Sequence, residues 1–148
     1  RYNRSMSDFR FYHPVEVRYG DLDPQGHVNN AKHLTYFEQA RVAYMIELGL
    51  FTRDQSFMEI GVILADVHIT YFAPIYFGQS IQVGVHAAKL GNKSMTWDQN
   101  IVDRGSGKEL AKGAVVIVTY DYRTSQTIPV PQEWRKRIEE FEGLTLEA

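Results

Sequence analysis

The chain has 148 residues, of which 44% are hydrophobic and 23% charged, as in a soluble domain that buries one sizeable core. Its net charge of −2 gives no basis for binding nucleic acid or a membrane surface. It contains no cysteine, which excludes disulfides, thiolate metal sites and a cysteine nucleophile.

The start of the chain lacks the apolar stretch of a signal peptide, so we expect residues 1–10 to form a loose or tag-derived end. No apolar run approaches the length of a transmembrane helix. The absence of cysteine fits a reducing compartment. These features predict a single domain over residues 1–148, located in the cytoplasm, with no membrane and no nucleic acid among its partners.

The first two predicted elements are a strand and a long helix. Residues 11–19 alternate apolar and charged side chains from Val15 onward, which predicts a strand with one solvated face. Residues 30–48 are apolar over most of a helical surface, and Gly49 follows as a C-terminal stop. A helix that is apolar on most sides is normally wrapped by the rest of the protein.

Arg41 is the one cation inside the apolar arc of this helix. Two interpretations stay open. Its stem snorkels and its head lies in water, or its guanidinium pairs with Glu38 or with a carboxylate of the 21–23 loop.

The rest of the chain is mostly β. A polar connector or short helical turn spans residues 50–59, and glycine-rich hairpin turns separate the later strands. The predicted strands cover residues 62–71, 81–87, 95–101 and 110–122, and a short amphipathic helix covers 131–142. This order predicts an α+β fold in which an antiparallel sheet of about five strands curls around the long central helix.

A polar loop links the first strand to the helix. It holds two carboxylates, at Asp21 and Asp23, followed by His27, Asn29 and Asn30. Either asparagine is placed to cap the helix, whose N-terminal N–H groups and dipole favour negative charge. Such a place can hold a carboxylate and stabilise a developing oxyanion.

Several familiar sites do not fit this loop or its surroundings. A calcium loop starting at Asp21 needs a glutamate at its twelfth position, where Lys32 stands. His27 and His33 are six residues apart, which is not the spacing of a helical zinc site. Ser106 lies in a hairpin turn, not in the strained elbow of a serine hydrolase. Two interpretations remain: turn formers and caps only, or a site built around Asp23.

The loop residues Arg-Tyr-Gly-Asp-Leu-Asp-Pro-Gln-Gly-His-Val-Asn-Asn, followed by Tyr-Phe-Glu-Gln-Ala-Arg at 36–41, resemble hotdog-fold acyl-CoA thioesterases of the 4-hydroxybenzoyl-CoA thioesterase type. Residues 69–74 with Gly78 resemble the strand–proline–glycine turn of that family. The His-Val-Asn-Asn part also resembles acyl-ACP thioesterases. The resemblance covers residues 11–122 in element order.

The resemblance implies a hotdog fold paired edge to edge into homodimers or homotetramers. It places the catalytic carboxylate at Asp23 and the oxyanion-binding N–H near Asn30. In the acyl-ACP branch the helper residues fall at Gln25 and His27. Gln25 departs from the asparagine of that branch, and Asn30 stands where some bacterial relatives carry histidine.

We therefore expect hydrolysis of an acyl-CoA thioester, with Asp23 as general base or nucleophile and His27 or Asn29 orienting it. No metal or redox cofactor is expected, because a thioester is already activated. Tyr36 and Phe37 are candidates for binding the acyl group, with membership of the core as the alternative. An acyl-ACP thioesterase, a hotdog hydratase or dehydratase and a non-catalytic acyl-thioester binding module stay open.

Overall fold

The computed structural model describes residues 9–56, 58–59, 61–143 and 145–146. The expected loose end at residues 1–10 falls largely on residues 1–8, outside the described residues. The helices are α1 (Lys32–Glu47) and α2 (Gln132–Glu142), and a 3-10 turn spans Tyr19–Asp21. The strands are β1 (Phe11–Val15), β2 (Val62–Tyr71), β3 (Ile81–Leu90), β4 (Ser94–Asp103), β5 (Glu109–Asp121) and β6 (Gln126–Thr127).

The strands form one antiparallel sheet in the order β1-β3-β4-β5-β2, and the short β6 pairs with β5. This confirms the predicted α+β class with a sheet of about five strands around a long helix. β3, β4 and β5 follow each other in the chain as neighbouring hairpin strands, whereas β2 crosses over to the far edge beside β5. That crossover makes β2 an edge strand of the sheet.

The first strand and the long helix are both shorter than predicted. β1 ends at Val15 instead of Tyr19, because its partner strand β3 begins at Ile81, which faces Val15, so the ladder stops there. The backbone stays extended as far as Arg18, where the 3-10 turn follows. The helix α1 starts at Lys32 instead of residue 30. Its N-cap position is Ala31, which has no side-chain cap, so the prediction that Asn29 or Asn30 caps the helix is wrong; the Asn29 Oδ1 accepts from the Ala31 N–H in the turn before it. Both shifts leave residues 19–31 as a compact loop above the end of the helix.

The core lies between α1 and one face of the sheet. Phe37, Ala40 and Tyr44 of the helix are fully buried, as is Trp97 of β4. Phe37 sits against Gly113 of β5, where an added Cβ would come within 2.9 Å of its ring. The absent side chain therefore makes room for the helix to approach the sheet.

The C-terminal helix α2 is fixed to this core by a buried carboxylate. Glu142 is 2% exposed, and its Oε1 accepts hydrogen bonds from the Tyr44 hydroxyl at 2.7 Å and the Ala87 N–H at 3.1 Å. Its Oε2 lies 2.6 Å from Nδ1 of His86, which is also buried. One side chain thus joins α2 to both α1 and β3.

Arg41 fits neither interpretation drawn from the sequence. It is only 8% exposed, so its head does not lie in water. Its Nη1 donates to the Oε1 of Gln99 on β4 at 3.1 Å, and no ion pair joins it to a carboxylate in the described part of the chain. The sequence could not show this, because the partner lies 58 residues away on the sheet.

Candidate active site

The loop between the 3-10 turn and α1 is closed on itself by backbone hydrogen bonds. The Asp23 N–H donates to the carbonyl of His27 at 3.0 Å, and the Gly26 N–H donates to the carbonyl of Asp23 at 3.0 Å. Gly26 has a φ of 85°, which a residue with a side chain adopts only with strain. The next residue, Val28, donates to the Ile75 carbonyl at 2.8 Å. Residues 23–27 therefore form a fixed turn held against the 72–79 loop.

This turn presents the Asp23 carboxylate with two polar neighbours. Its Oδ1 accepts from the Gln25 N–H at 2.9 Å, and the side-chain amide of Gln25, with its nitrogen facing the carboxylate, lies 3.0 and 3.1 Å from the two oxygens. Nδ1 of His27 lies 3.9 Å from the Asp23 Oδ2. The Asp23 side chain keeps 13% of its surface exposed. Asp23 is thus oriented by its own turn while one side stays accessible.

The two asparagines have different tasks at the start of α1. Asn29 fixes the backbone: its Oδ1 accepts from the Ala31 N–H at 2.9 Å, and its N–H donates to the Asp21 carbonyl at 2.9 Å. The Asn30 carbonyl accepts from the Tyr71 hydroxyl at 3.0 Å. The Asn30 N–H has no acceptor among the described residues. A free N–H at a helix start is a hydrogen-bond donor for an anionic oxygen.

These groups line one cavity of about 490 Å³. Its polar wall comes from the loop and the helix start, and its apolar wall from the segment after β2. The lining residues are Asp23, His27, Val28, Asn30, His33, Tyr71, Phe72, Ala73 and Pro74. The structure therefore brings Asp23, His27 and Asn30 together, whereas Asn29 lies behind them.

His33 also lines this cavity, although it was not among the site residues predicted from the sequence. It is 3% exposed, lines the cavity, and packs edge to face on Tyr71. Its Nδ1 lies 3.3 Å from the Asn29 carbonyl, and because a carbonyl only accepts, Nδ1 carries the proton in this contact. Burial lowers the pKa of His33 more than its backbone hydrogen bonds raise it, which favours the neutral imidazole. The available signal was its place in the first turn of α1, directly after the polar loop.

The other aspartate of the loop is buried and fully engaged. Asp21 is 2% exposed, and its Oδ2 accepts from the Tyr36 hydroxyl at 2.7 Å and the Arg18 N–H at 3.0 Å. Burial raises the pKa of Asp21, but these hydrogen bonds outweigh it and hold the pKa below its ordinary value. Burial and the Asp21 carboxylate together raise the pKa of Tyr36. Asp21 is therefore an ionised structural residue.

The two side chains expected to contact the acyl group belong to the core of the chain. Phe37 is fully buried, and Tyr36 is 3% exposed with its hydroxyl on Asp21. Neither lines the Asp23 cavity.

No group of three or more His, Asp or Glu side chains is placed to hold a metal ion in the described ranges. Within the same ranges no helix has the length and apolar character needed to cross a bilayer.

A family model for the thioesterase-like superfamily matches residues 17–138, which include the whole polar loop. The long-chain acyl-CoA thioesterase FadM of Escherichia coli strain K12 is 25% identical, covering 86% of this chain and 96% of that protein. The acyl-CoA thioesterase YbgC of Haemophilus influenzae is 25% identical, covering 86% of this chain and 93% of that protein. A thioesterase structure from Thermus thermophilus, complexed with coenzyme A and Zn, is 33% identical with a TM-score of 0.80, covering 93% of this chain and 98% of that chain.

Proposed function

Since the chain belongs to the thioesterase-like superfamily, we propose that it hydrolyses the thioester of an acyl-CoA to a carboxylic acid and CoA. The observation that carries this proposal is one cavity lined by an accessible carboxylate, Asp23, and by Asn30, whose N–H has no acceptor in the described part of the chain. Thioester hydrolysis needs both groups, because a nucleophile must be generated and the carbonyl oxygen becomes an anion.

In the first form of the mechanism Asp23 acts as a general base. It takes a proton from a water molecule while the water oxygen bonds to the thioester carbon. The carbonyl oxygen becomes an oxyanion that accepts a hydrogen bond from the Asn30 N–H, assisted by the dipole of α1. Collapse of this intermediate breaks the carbon–sulfur bond, and the CoA thiolate recovers the proton that Asp23 holds.

In the second form Asp23 acts as a nucleophile. A carboxylate oxygen bonds to the thioester carbon and the CoA thiolate leaves, giving a mixed anhydride that water then hydrolyses. In both forms Gln25 orients the carboxylate through hydrogen bonds. The ring of His27, whose Nδ1 lies 3.9 Å from the Asp23 Oδ2, is near enough to orient the water.

Assembly belongs to the same proposal. β2 is an edge strand that pairs only with β5 among the described strands. It exposes apolar side chains, with Ile63 at 41%, Leu64 at 49% and Tyr71 at 43%. A long apolar edge is a template for pairing with another strand. We propose a homodimer formed through β2, a tetramer being its further association, and this places the Asp23 cavity beside the subunit boundary because Tyr71 lines it.

The experiment is thiol release from a panel of aliphatic and aromatic acyl-CoAs and one acyl-ACP, with products identified by mass spectrometry. Free CoA and free acid in equal amounts are expected. Hydration of an enoyl-CoA without thiol release would replace the proposal with a hydratase. Saturable acyl-CoA binding without turnover would replace it with a binding module, and preference for the carrier protein would make the substrate an acyl-ACP. The cytoplasm stays our prediction for its location, because a chain without cysteine fits a reducing compartment.

A further inference from the structure

The imidazole ring of His33 has two nitrogens with different surroundings. Its Nδ1 donates to the Asn29 carbonyl at 3.3 Å. Its Nε2 has no hydrogen-bond partner in the described part of the chain, yet it is not fully enclosed. His33 is 3% exposed and lines the Asp23 cavity, so the open space beside the ring is that cavity. His33 therefore uses Nδ1 on the backbone and leaves Nε2 for a molecule in the cavity.

The protonation of His33 makes Nε2 a hydrogen-bond acceptor. A neutral imidazole carries one proton, and the contact with a carbonyl places that proton on Nδ1. Burial lowers the pKa of His33, which keeps the ring neutral at neutral pH. Nε2 then has a lone pair and no proton. It can bind a group that donates a hydrogen bond, but not a thioester carbonyl, which only accepts.

His33 contacts the far side of the peptide group that carries the proposed oxyanion donor. The Asn29 carbonyl and the Asn30 N–H belong to one trans peptide, in which they point in opposite directions. A thioester carbonyl bound at the Asn30 N–H is therefore remote from His33, and another part of the substrate meets Nε2. The remaining cavity wall is mostly apolar, which suits an acyl group better than the polar pantetheine arm of CoA. Its apolar members are Val28, Phe72, Ala73 and Pro74.

We propose that His33 determines specificity for acyl groups that carry a hydroxyl, by accepting the hydroxyl hydrogen at Nε2. An unsubstituted acyl chain would exclude water from this buried acceptor and leave it unpaired, which is costly. A site that hydrogen-bonds a substrate hydroxyl discriminates for this reason against the analogue without one. The inference rests on the proposed hydrolysis for its substrate, an acyl-CoA, and adds the class of acyl group.

The test compares octanoyl-CoA with 3-hydroxy-, 5-hydroxy- and 8-hydroxyoctanoyl-CoA in thiol-release assays of the full chain. At least one hydroxylated substrate should exceed octanoyl-CoA in kcat/KM by roughly tenfold or more, the effect of one buried polar group left unpaired. The oxo derivative at the same carbon accepts hydrogen bonds but donates none, so it should show no such preference. Binding of octyl-CoA thioethers, with and without the hydroxyl, measures the same preference without turnover.

Two substitutions at position 33 separate the roles of the two nitrogens. His33→Asn places an amide donor near Nδ1 but nothing at Nε2, so the ratio of kcat/KM between hydroxylated and plain substrate should fall to near unity. His33→Gln reaches the Nε2 position with an amide oxygen and should keep part of the preference. His13→Asn is the matched control, because His13 lies on β1 and does not line the cavity. This control should keep the full preference.

Equal kcat/KM for hydroxylated and plain substrates, with equal affinities of the thioethers, would overturn the proposal. A preference that His33→Asn keeps in full, or that the oxo derivative shares, would overturn it as well. If His33→Asn fails to fold, the wild-type substrates and thioethers decide. Thioethers that show a preference dependent on His33, without thiol release from any acyl-CoA, would support this inference and refute the hydrolysis. Thiol release without a preference would do the reverse.

Discussion

Replacement by asparagine should have different effects at the two aspartates of the loop: a loss of rate at Asp23 and a loss of stability at Asp21. Asparagine at position 23 keeps the size of the side chain and can still accept the Gln25 N–H bond. It can neither take a proton nor attack a carbonyl. Loss of a general base typically costs about 10²–10⁴ in rate. Asp23→Asn should therefore lower kcat by about this factor, while acyl-CoA binding and the melting temperature stay near wild type.

Asparagine at position 21 should act on stability instead. The Asp21 Oδ2 accepts two hydrogen bonds, from Tyr36 and from the Arg18 N–H, in a site that is 2% exposed. A neutral acceptor keeps the geometry but loses the charge assistance, which costs about 1–3 kcal/mol for the buried pair of bonds. For a chain of this size each kcal/mol lowers the melting temperature by about 2–4 °C. The rate effect should be modest.

The assays are steady-state thiol release and differential scanning calorimetry on both variants. The assignment fails if Asp23→Asn keeps more than roughly a tenth of the wild-type kcat, or if Asp21→Asn abolishes activity at an unchanged melting temperature. The kcat of the wild type should fall on the acid side, because a carboxylate base must be ionised, and this limb should vanish in Asp23→Asn. A limb that persists would identify His27 as the titrating group.

The pH dependence of stability should report on Asp21 as well. The pKa of Asp21 in the folded chain lies below its ordinary value, so its stabilisation is present above the ordinary pKa. That stabilisation is lost as the pH falls through the lowered pKa. Asp21→Asn should therefore flatten the acid limb of the stability curve.

Three further predictions concern other parts of the chain. His33→Phe keeps the ring but removes the Nδ1 donor to Asn29, so kcat should fall by roughly tenfold with KM unchanged; a raised KM at normal kcat would contradict this. Glu142→Gln keeps an acceptor for Tyr44 and Ala87 but removes the carboxylate oxygen that lies against the buried His86, and urea unfolding should show a loss of about 1–3 kcal/mol; an unchanged free energy of unfolding would show that this contact matters little. Light scattering should give a dimer that Ile63→Lys weakens, since a charge on an edge strand opposes pairing; a fully active monomer would refute the edge contact.

The sheet can be predicted from the sequence because its strands alternate apolar and polar side chains. The predicted bounds of β2 are the observed ones, and those of β5 are displaced by one residue at each end. The end of β1 cannot be predicted in this way. The alternation continues to Tyr19 and the backbone is still extended at Arg18, but the partner strand β3 reaches only to Ile81, opposite Val15. Where a strand ends depends on a partner that lies far away in the sequence.

The polar loop can be predicted as a site because its side chains are dense and directly precede a helix. The sequence does not separate cavity from core on α1. Tyr36 and His33 are both buried, but Tyr36 turns its hydroxyl to Asp21 while His33 lines the cavity. Helical periodicity reports that a residue faces the protein interior. It does not report whether that interior is filled or open, which depends on the segment after β2.

The two carboxylates of the loop have different roles in the proposed mechanism. Asp21 is held by hydrogen bonds within the chain, and Asp23 stays accessible to the substrate. Asp21 is engaged through Tyr36 and Arg18, and its carbonyl accepts the Asn29 N–H. The Asn29 carbonyl in turn accepts from the Lys32 N–H and from His33. This carbonyl and the Asn30 N–H belong to the same peptide group, so hydrogen bonds to the carbonyl polarise that N–H and make it a stronger donor. In the proposed mechanism, Asp21 and His33 therefore act on the oxyanion site through the backbone behind it, and Asp23 contacts the substrate from the cavity side.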